Sequence, residues 1–177
     1  MFEITQLNPQ EYRRQTRRSS VIIVLLFLLL AMLLSTGSVM LFGEPGGDNF
    51  RWNLGGVLSA LLLTIALVRG QFWRRPWMAA AVYGWQLKRR LMSITNVMHH
   101  VKTAIAAQDQ AAMKLLRFYH LGLTQMHQLD GNSGELIQLV AEINQHQEAM
   151  LALGMDTDVQ QLDPVWFDSL KPYKTAQ

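Results

Sequence analysis

The sequence predicts an all-α protein in which a two-span transmembrane helical hairpin is followed by a cytoplasmic antiparallel helical bundle. Three observations lead to this fold class. Uncharged apolar runs extend from Val21 to Phe42 and from Trp52 to Val68. Turn-forming residues separate the two runs. Beyond them the chain carries apolar residues at helical spacing, and no stretch shows the alternation typical of a strand.

The first apolar run is long enough to cross a membrane. No residue from Ser19 to Gly43 is charged, and a helix from Val21 to Phe42 spans about 33 Å, whereas a hydrocarbon core is about 30 Å thick. A soluble helix of this length would need a polar face, which the run lacks. A cleaved signal peptide is the competing interpretation, but its apolar core would be shorter and would end in small residues. We favour an uncleaved anchor.

The second run forms the other half of the hairpin. We predict spans at about residues 21–42 and 52–72, joined by an outer turn at residues 43–51, where Pro45 is followed by two glycines. Four arginines precede the first span and six basic residues follow the second, but the turn holds a single arginine. The positive-inside rule therefore predicts a multi-pass protein with both termini in the cytoplasm.

Small residues predict a contact between the two spans. When residues are paired by their depth below the turn, Ser38 falls near Gly55 and Ser35 falls near Ser59. Ala31 with Ser35, and Gly55 with Ser59, each form a small-xxx-small step that allows membrane helices to approach closely. We predict hairpin packing through these five residues.

The basic residues near the spans predict contact with lipid. Residues 69–90 carry six Arg or Lys and no acidic residue, whereas residues 91–177 carry five basic and nine acidic residues. Cations concentrated beside an apolar span are typical of contact with anionic lipids and of basic residues that fix the orientation of the span in the membrane. They do not indicate a nucleic-acid site. The predicted lipid-interface set is Arg13, Arg14, Arg17, Arg18, Arg74, Arg75, Lys88, Arg89, Arg90, Trp73 and Trp77.

The predicted organisation has four parts: an N-terminal basic segment at residues 1–20, the hairpin at 21–75, a three-helix bundle at 76–154, and a linker with a short C-terminal helix at 155–177. Apolar steps of three and four predict one bundle helix from residue 77 to about 107. Asp109 and Gly131 are expected to cap the second helix. Asn132 with Glu135, before a stripe that starts at Leu136, resembles the capping box of the third.

The histidines are the best candidates for chemistry, although their pattern is weak. His120 and His127 lie on one face of the second bundle helix, about 10.5 Å apart along its axis. Glu142 and His146 on the next helix could meet them, but the spacing matches no known metal motif. The chain has no cysteine. We therefore expect no metal, no cofactor and no catalytic residue, and the sequence leaves open whether these four side chains converge.

Three stretches resemble a known family. They are LFGEPGGDNFRWNLGGV (Leu41–Val57), PWMAAAVYGWQLKR (Pro76–Arg89) and MKLLRFYHLGLTQMHQLDGNS (Met113–Ser133). This chain is similar along nearly its whole length to small gammaproteobacterial inner-membrane proteins with the domain of unknown function 3087. The resemblance implies a bacterial inner membrane. It implies no activity and no functional residues.

These observations favour a non-enzymatic accessory or scaffold protein that presents its cytoplasmic bundle to protein partners. The alternative is a sensor or binding module that takes a small ligand, a lipid or a metal in the bundle. Expected partners are membrane lipids, an unknown protein and a second copy of the chain, without nucleic acid. We expect self-association to use Trp77–Gly84 and the hairpin, and not the distal bundle. We expect residues 86–177 to fold on their own.

Overall fold

The all-α fold class is confirmed by the computed structural model. The structure describes residues 1–174, apart from the side chains of Ser133, residues 135–138 and Lys174. In chain order the elements are β1 (Phe2–Glu3), α1 (Pro9–Phe42), α2 (Phe50–Leu67), a π-helical turn (Val68–Phe72), a 3-10 turn (Pro76–Met78), α3 (Ala79–Thr95), α4 (Met98–Ala106), α5 (Gln110–Asp130), α6 (Ser133–Ala152), β2 (Gln161–Leu162), α7 (Val165–Asp168) and α8 (Lys171–Lys174).

Two helices are long and apolar enough to cross a membrane, Pro9–Phe42 and Phe50–Phe72, the second being α2 with its π-helical continuation. α1 begins where the side-chain oxygen of Asn8 accepts hydrogen bonds from the amides of Gln10 (2.9 Å) and Glu11 (3.1 Å). These bonds satisfy two of the amide groups that every helix N-terminus leaves without a partner.

The turn between α1 and α2 is closed by its own polar groups. The side chain of Asn49 accepts a hydrogen bond from the Glu44 amide and donates one to the Glu44 carbonyl, each 3.0 Å long. Gly46 has φ of +75°, a conformation that glycine adopts at little cost. On either side of the turn the rings of Phe42 and Trp52 stack at 5.1 Å, so the hairpin is held at its tip.

The chain folds as two units. Residues 14–82 form the hairpin unit, and residues 1–13 together with the chain from Tyr83 onward form the bundle unit. This division differs from the predicted one, in which residues 1–20 stood apart and the bundle began at residue 76. The difference arises because the first residues of the chain contribute to the bundle core.

The N-terminal strand is the element that the sequence analysis missed. β1 pairs antiparallel with β2, with Phe2 opposite Leu162, and the amide of Ile4 donates a hydrogen bond to the carbonyl of Gln160 (2.9 Å). Phe2 and Ile4 are buried, and the ring of Phe2 meets that of Phe118 edge-on at 6.4 Å. The predicted linker after residue 154 therefore contains a strand, Gln161–Leu162, of a small sheet. A fragment of residues 86–177 would lack the strand that covers this core.

The long bundle helix predicted for residues 77–107 is broken in two. α3 ends at Thr95 and α4 begins at Met98, so the bundle contains four helices where three were predicted. The hydroxyl of Thr95 donates back to the carbonyl of Leu91 (3.0 Å), a local bond that bends helices. Ile94 and Val101 are both fully buried, so the apolar stripe continues across the break and conceals it in the sequence.

α5 lies between its two predicted caps, Asp109 and Gly131, and α6 begins directly after Asn132, as predicted. The Asp109 side chain accepts a hydrogen bond from the Ala112 amide (2.8 Å), and Gly131 ends α5 with φ of +76°. Asn132 makes no side-chain cap, and the side chains of Glu135 and Leu136 lie outside the described residues. The buried core of this unit includes Phe2, Ile4, Leu87, Leu91, Ile94, Val101, Leu115, Phe118, Met150, Val159, Leu162 and Leu170.

The small residues expected to mediate self-association are covered within one chain. Gly84 is buried, and a Cβ atom added to it would lie 2.0 Å from the hydroxyl oxygen of Tyr12. Ala80 is also buried. The start of α1 occupies the space beside Gly84, and self-association through Trp77–Gly84 stays a prediction.

We expect Ile4→Ala to lower the free energy of unfolding of the whole protein by about 2–4 kcal/mol, because it leaves a cavity in the bundle core. Chemical unfolding of the full chain in neutral detergent measures the effect. Val165 lies in the same unit and is 64% exposed, so Val165→Ala is the matched control and should change stability by less than about 0.5 kcal/mol. Equal effects of the two substitutions would contradict a structural role for the N-terminal strand.

Candidate functional site

The contact between α1 and α2 is built from small residues, as predicted, but on α2 it lies one residue further along. Gly56, Ala60 and Thr64 are the buried residues of α2. A Cβ atom added to Gly56 would lie 2.5 Å from the Cα atom of Ser35, so the two backbones are in direct contact. On α1, Ala31 is buried and Ser35 is half-buried. We call these five residues the hairpin seam.

The predicted α2 residues Gly55 and Ser59 are wrong. Both are exposed, and a Cβ atom on Gly55 would meet nothing within 4 Å. Pairing by depth fixes how far a residue lies from the turn but leaves the helix rotation undetermined, and one residue corresponds to 100° of rotation. Ser38 is half-buried, and the Ser35 hydroxyl donates a 2.7 Å hydrogen bond to the side-chain oxygen of Asn53.

Large apolar side chains cover the outside of the hairpin unit. In the most apolar 18-residue stretch of α2 only 17% of the residues are buried, and the large apolar side chains of α1 between Val21 and Leu33 are mostly exposed. Small and polar groups occupy the seam instead. The exposed side chains are Val21, Ile22, Val24, Leu25, Leu28, Leu29, Met32, Leu33, Leu54, Leu58, Leu61, Leu62, Leu63 and Ile65. This distribution is the reverse of that in a water-soluble helix pair.

Two of the predicted lipid-interface cations are used inside the bundle unit. Arg13 donates from Nη1 to the carbonyls of Leu129 (3.2 Å) and Gln128 (3.4 Å), and so caps the C-terminal end of α5. Lys88 forms an ion pair with Asp130 (3.1 Å). The remaining predicted cations have exposed side chains: Arg14, Arg17, Arg18, Arg74, Arg75, Arg89 and Arg90.

The two predicted interfacial tryptophans, Trp73 and Trp77, are half-buried. The ring of Trp77 lies 5.4 Å from that of Phe72. The hydroxyl of Ser19 lies within hydrogen-bonding distance of the Trp77 carbonyl (2.7 Å) and is almost fully buried. This contact holds the end of the second span beside α1 within the hairpin unit.

Of the four side chains whose convergence the sequence left open, two meet. His120 and His146 are buried, and their rings pack edge-on with centroids 5.4 Å apart. Nε2 of His146 lies 3.0 Å from the Met113 carbonyl, whereas Nδ1 of His120 is buried without a hydrogen-bond partner. Glu142 pairs with Lys102 (3.8 Å).

His127 lies further along α5 and is also buried. Among the described side chains, no group of three or more His, Asp or Glu is arranged to hold a metal ion. His120 and His146 form a buried polar contact between α5 and α6.

The environment of the histidine pair favours its neutral form. Burial, together with the nearby His146, Arg117 and Lys102, lowers the pKa of His120 to about 4. Burial also lowers the pKa of His146, against the opposing effect of its hydrogen bond to Met113. Protonation of either ring would place a charge among apolar atoms and next to cations.

A polar network ties the N-terminal strand to the bundle helices. The Tyr83 hydroxyl donates to the side-chain oxygen of Gln125 (2.5 Å) and accepts from the amide of Thr5 (3.0 Å), while the Gln125 amide group donates to the Thr5 carbonyl. Burial raises the pKa of Tyr83. The network orients α3, α5 and the residues after β1, and we assign it a structural role.

An open cleft of about 530 Å³ lies beside β2, with an acidic lining that sequence reasoning did not find. Glu3 reaches it from β1, and Asp156 and Asp158 from the loop before β2. These residues are distant in sequence and come together only through the β1–β2 pairing. The lining consists of Glu3, Lys114, Asp156, Asp158, Val159, Gln160, Gln161 and Trp166.

The fold and these surfaces define a class of helical protein that joins a hairpin of membrane-spanning length to a separately packed helical bundle. The chain belongs to the family described as protein of unknown function DUF3087, whose model matches residues 2–167. The match includes both units and the N-terminal strand. The comparisons with curated proteins and with solved structures gave no match.

The adjacent glycines of α2 provide a test of the seam. We expect Gly56→Ala to separate the helices, because its new methyl group would overlap the backbone at Ser35. The readout is the yield of an intrachain disulfide between Ser35→Cys and Asn53→Cys, which is expected to fall severalfold. Gly55→Ala adds the same methyl group in open space and should leave the yield unchanged. Loss of the disulfide in both backgrounds would contradict the seam.

The histidine pair predicts acid sensitivity. Unfolded His120 has a pKa near 6.5 and binds a proton that folded His120, with a pKa of about 4, does not. Stability should therefore be fully present above pH 6.5 and fall as the pH drops towards 4. Between neutral pH and about pH 4.5 the free energy of unfolding should fall by about 2 kcal/mol less in His120→Leu than in the original protein. Unfolding midpoints measured across pH test it, with exposed His99→Gln as the control. A slope unchanged in His120→Leu would refute this assignment.

Proposed function

We propose that the protein is an integral, multi-pass protein of the bacterial inner membrane, anchored by an uncleaved hairpin with both termini in the cytoplasm. In this proposal it is a non-enzymatic accessory or scaffold protein that presents its helical bundle to protein partners. The observation that carries the proposal is the apolar exterior of the hairpin unit around a seam of small and polar residues.

A hydrocarbon environment accounts for this arrangement. Exposing so many large apolar side chains to water costs about 25 cal/mol for each Å² of apolar surface, whereas lipid removes the cost. All backbone hydrogen bonds of a helix are internal, which is the requirement for crossing a bilayer. Contacts between Gly56 and Ser35 supply the close packing that holds membrane helices together without a hydrophobic driving force.

The N-terminal strand supports retention of the first span. Cleavage after α1 would remove Phe2 and Ile4 from the bundle core and Arg13 from the end of α5. A cleaved signal peptide has no such ties to the mature fold. The same strand links both ends of the hairpin to one unit, so both ends would lie on one side of the membrane. The excess of basic residues outside the turn favours the cytoplasmic side.

The acidic cleft is the surface through which we propose that a partner is bound. Its carboxylates complement a basic partner segment, and Trp166 offers an apolar wall. The side chain of Asp158 accepts a hydrogen bond from Gln160 (2.9 Å), which holds the loop in place. A preorganised acidic surface of this kind gives specificity and fast association with a positively charged partner.

Single cysteines introduced into this cysteine-free chain test both parts of the proposal. The positions are Gly47 in the turn, Glu148 on α6 and Gln161 in the cleft, all exposed. In intact cells we expect an impermeant maleimide to label Gly47→Cys and to leave the other two unlabelled until the inner membrane is opened. With a thiol-to-amine cross-linker, Gln161→Cys should give a discrete protein adduct, because it lies where the partner is proposed to bind.

Glu148→Cys is the matched control for cross-linking, since it shares the compartment and the unit but not the cleft. Labelling of Glu148→Cys from outside the cell would overturn the topology. Equal adducts from Glu148→Cys and Gln161→Cys, or none from either, would overturn the partner surface.

A further inference from the structure

A second, smaller pocket of about 310 Å³ opens where the N-terminal residues lie beside α3. Its character is opposite to that of the acidic cleft, because its charged side chains are both arginines. The lining residues are Met1, Phe2, Trp85, Gln86, Arg89 and Arg90. Its volume is at the lower end of the range for ligand pockets, so it suits a headgroup-sized ligand.

One of the arginines is held by an aromatic ring. Trp85 and Arg89 are four residues apart on α3 and so share a helix face. The guanidinium carbon of Arg89 lies 5.1 Å from the centroid of the Trp85 ring. A cation–π contact attracts the guanidinium through its charge and does not require its N–H donors. The contact therefore restrains the Arg89 side chain and leaves its donors available for an incoming anion.

The charges of this pocket have no counter-ion within the described chain. Lys88, the residue before Arg89, is paired with Asp130. No carboxylate among residues 1–174 with described side chains pairs with Arg89 or Arg90, and residues 69–90 contain no acidic residue. Two adjacent exposed arginines beside a polar amide and an aromatic ring thus present a concentrated positive potential to solvent.

We propose that this pocket binds a phosphate-bearing anion, with Arg89 and Arg90 as the phosphate ligands and Trp85 as the residue that orients Arg89. A carboxylate has two oxygens, which one arginine fork can satisfy. A phosphomonoester has three acceptor oxygens and a charge of about −1.5 to −2 at neutral pH, so it can engage two forks together. The phosphate can belong to a lipid headgroup or to a soluble molecule. Only the lipid source rests on the proposed membrane location.

The test measures binding to the full chain in neutral detergent, with calorimetry as the readout. The probes are a short-chain phosphatidic acid, a short-chain phosphatidylcholine and soluble glycerol phosphate. We expect Arg89→Gln/Arg90→Gln to weaken phosphatidic acid binding by at least about tenfold, as for loss of charge-assisted hydrogen bonds. Arg89→Lys keeps the charge but loses the planar fork, and should weaken binding severalfold.

Lys102→Gln/Lys171→Gln is the matched control, because it removes the same charge from two exposed side chains of the bundle unit that lie outside the pocket and outside the predicted lipid-interface set. It should leave binding within about twofold of that of the original protein. Tighter binding of phosphatidic acid than of glycerol phosphate identifies a lipid source, and equal affinities identify a soluble one. Equal losses in the two double variants, or binding of phosphatidylcholine as tight as that of phosphatidic acid, would overturn the proposal. The cysteine-labelling result is independent of these outcomes.

Discussion

The burial of Phe2 and Ile4 in the bundle core is the constraint on which the rest of the structure depends. It places the first residues of the chain in one hydrophobic cluster with residues of its C-terminal half. The hairpin unit, residues 14–82, lies between these two parts in the sequence. The polar network of Tyr83, Gln125 and Thr5 and the β1–β2 pairing reinforce the same closure. The acidic cleft and the arginine pocket both include N-terminal residues, so neither surface would exist without it.

The two units place their large apolar side chains on opposite sides, inside the bundle and outside the hairpin. In the bundle, large apolar side chains such as Phe118 and Leu87 point inward, and the buried histidines are kept neutral by their surroundings. In the hairpin the large side chains point outward and glycine, alanine, serine and threonine face one another. The distribution of apolar side chains in the hairpin is therefore the inverse of that in the bundle.

Sequence patterns predicted the elements that depend on local chemistry. The two helices of membrane-spanning length followed from the uncharged apolar runs, and the ends of α5 followed from Asp109 and Gly131. The break at residues 96–97 was not predicted because the spacing of buried residues is the same on both sides of it. β1 escaped because a strand of two residues is too short for its alternation to register, although Phe2 and Ile4 do alternate with polar neighbours.

The candidate sites were harder to predict because they depend on contacts between distant residues. Pairing residues by their distance from the turn identified Ser35 but missed its partner Gly56. The number of residues from the turn does not determine how each helix is rotated about its axis. Charge clustering identified Arg89 and Arg90 together with Arg13, although Arg13 is committed to the end of α5. Only the tertiary structure distinguishes a cation that caps the end of a helix, such as Arg13, from one that lines a pocket, such as Arg89.

The pairing of β1 with β2 also fixes the order in which parts of the fold can form during synthesis. At about 5–20 residues per second, a ribosome completes Gln161 roughly 10–30 s after Ile4, and until then the N-terminal strand has no partner. Both hairpin helices are synthesised within that interval, so the hairpin is complete before the bundle can close. The joining of the two ends of the chain is therefore the last step in forming the fold.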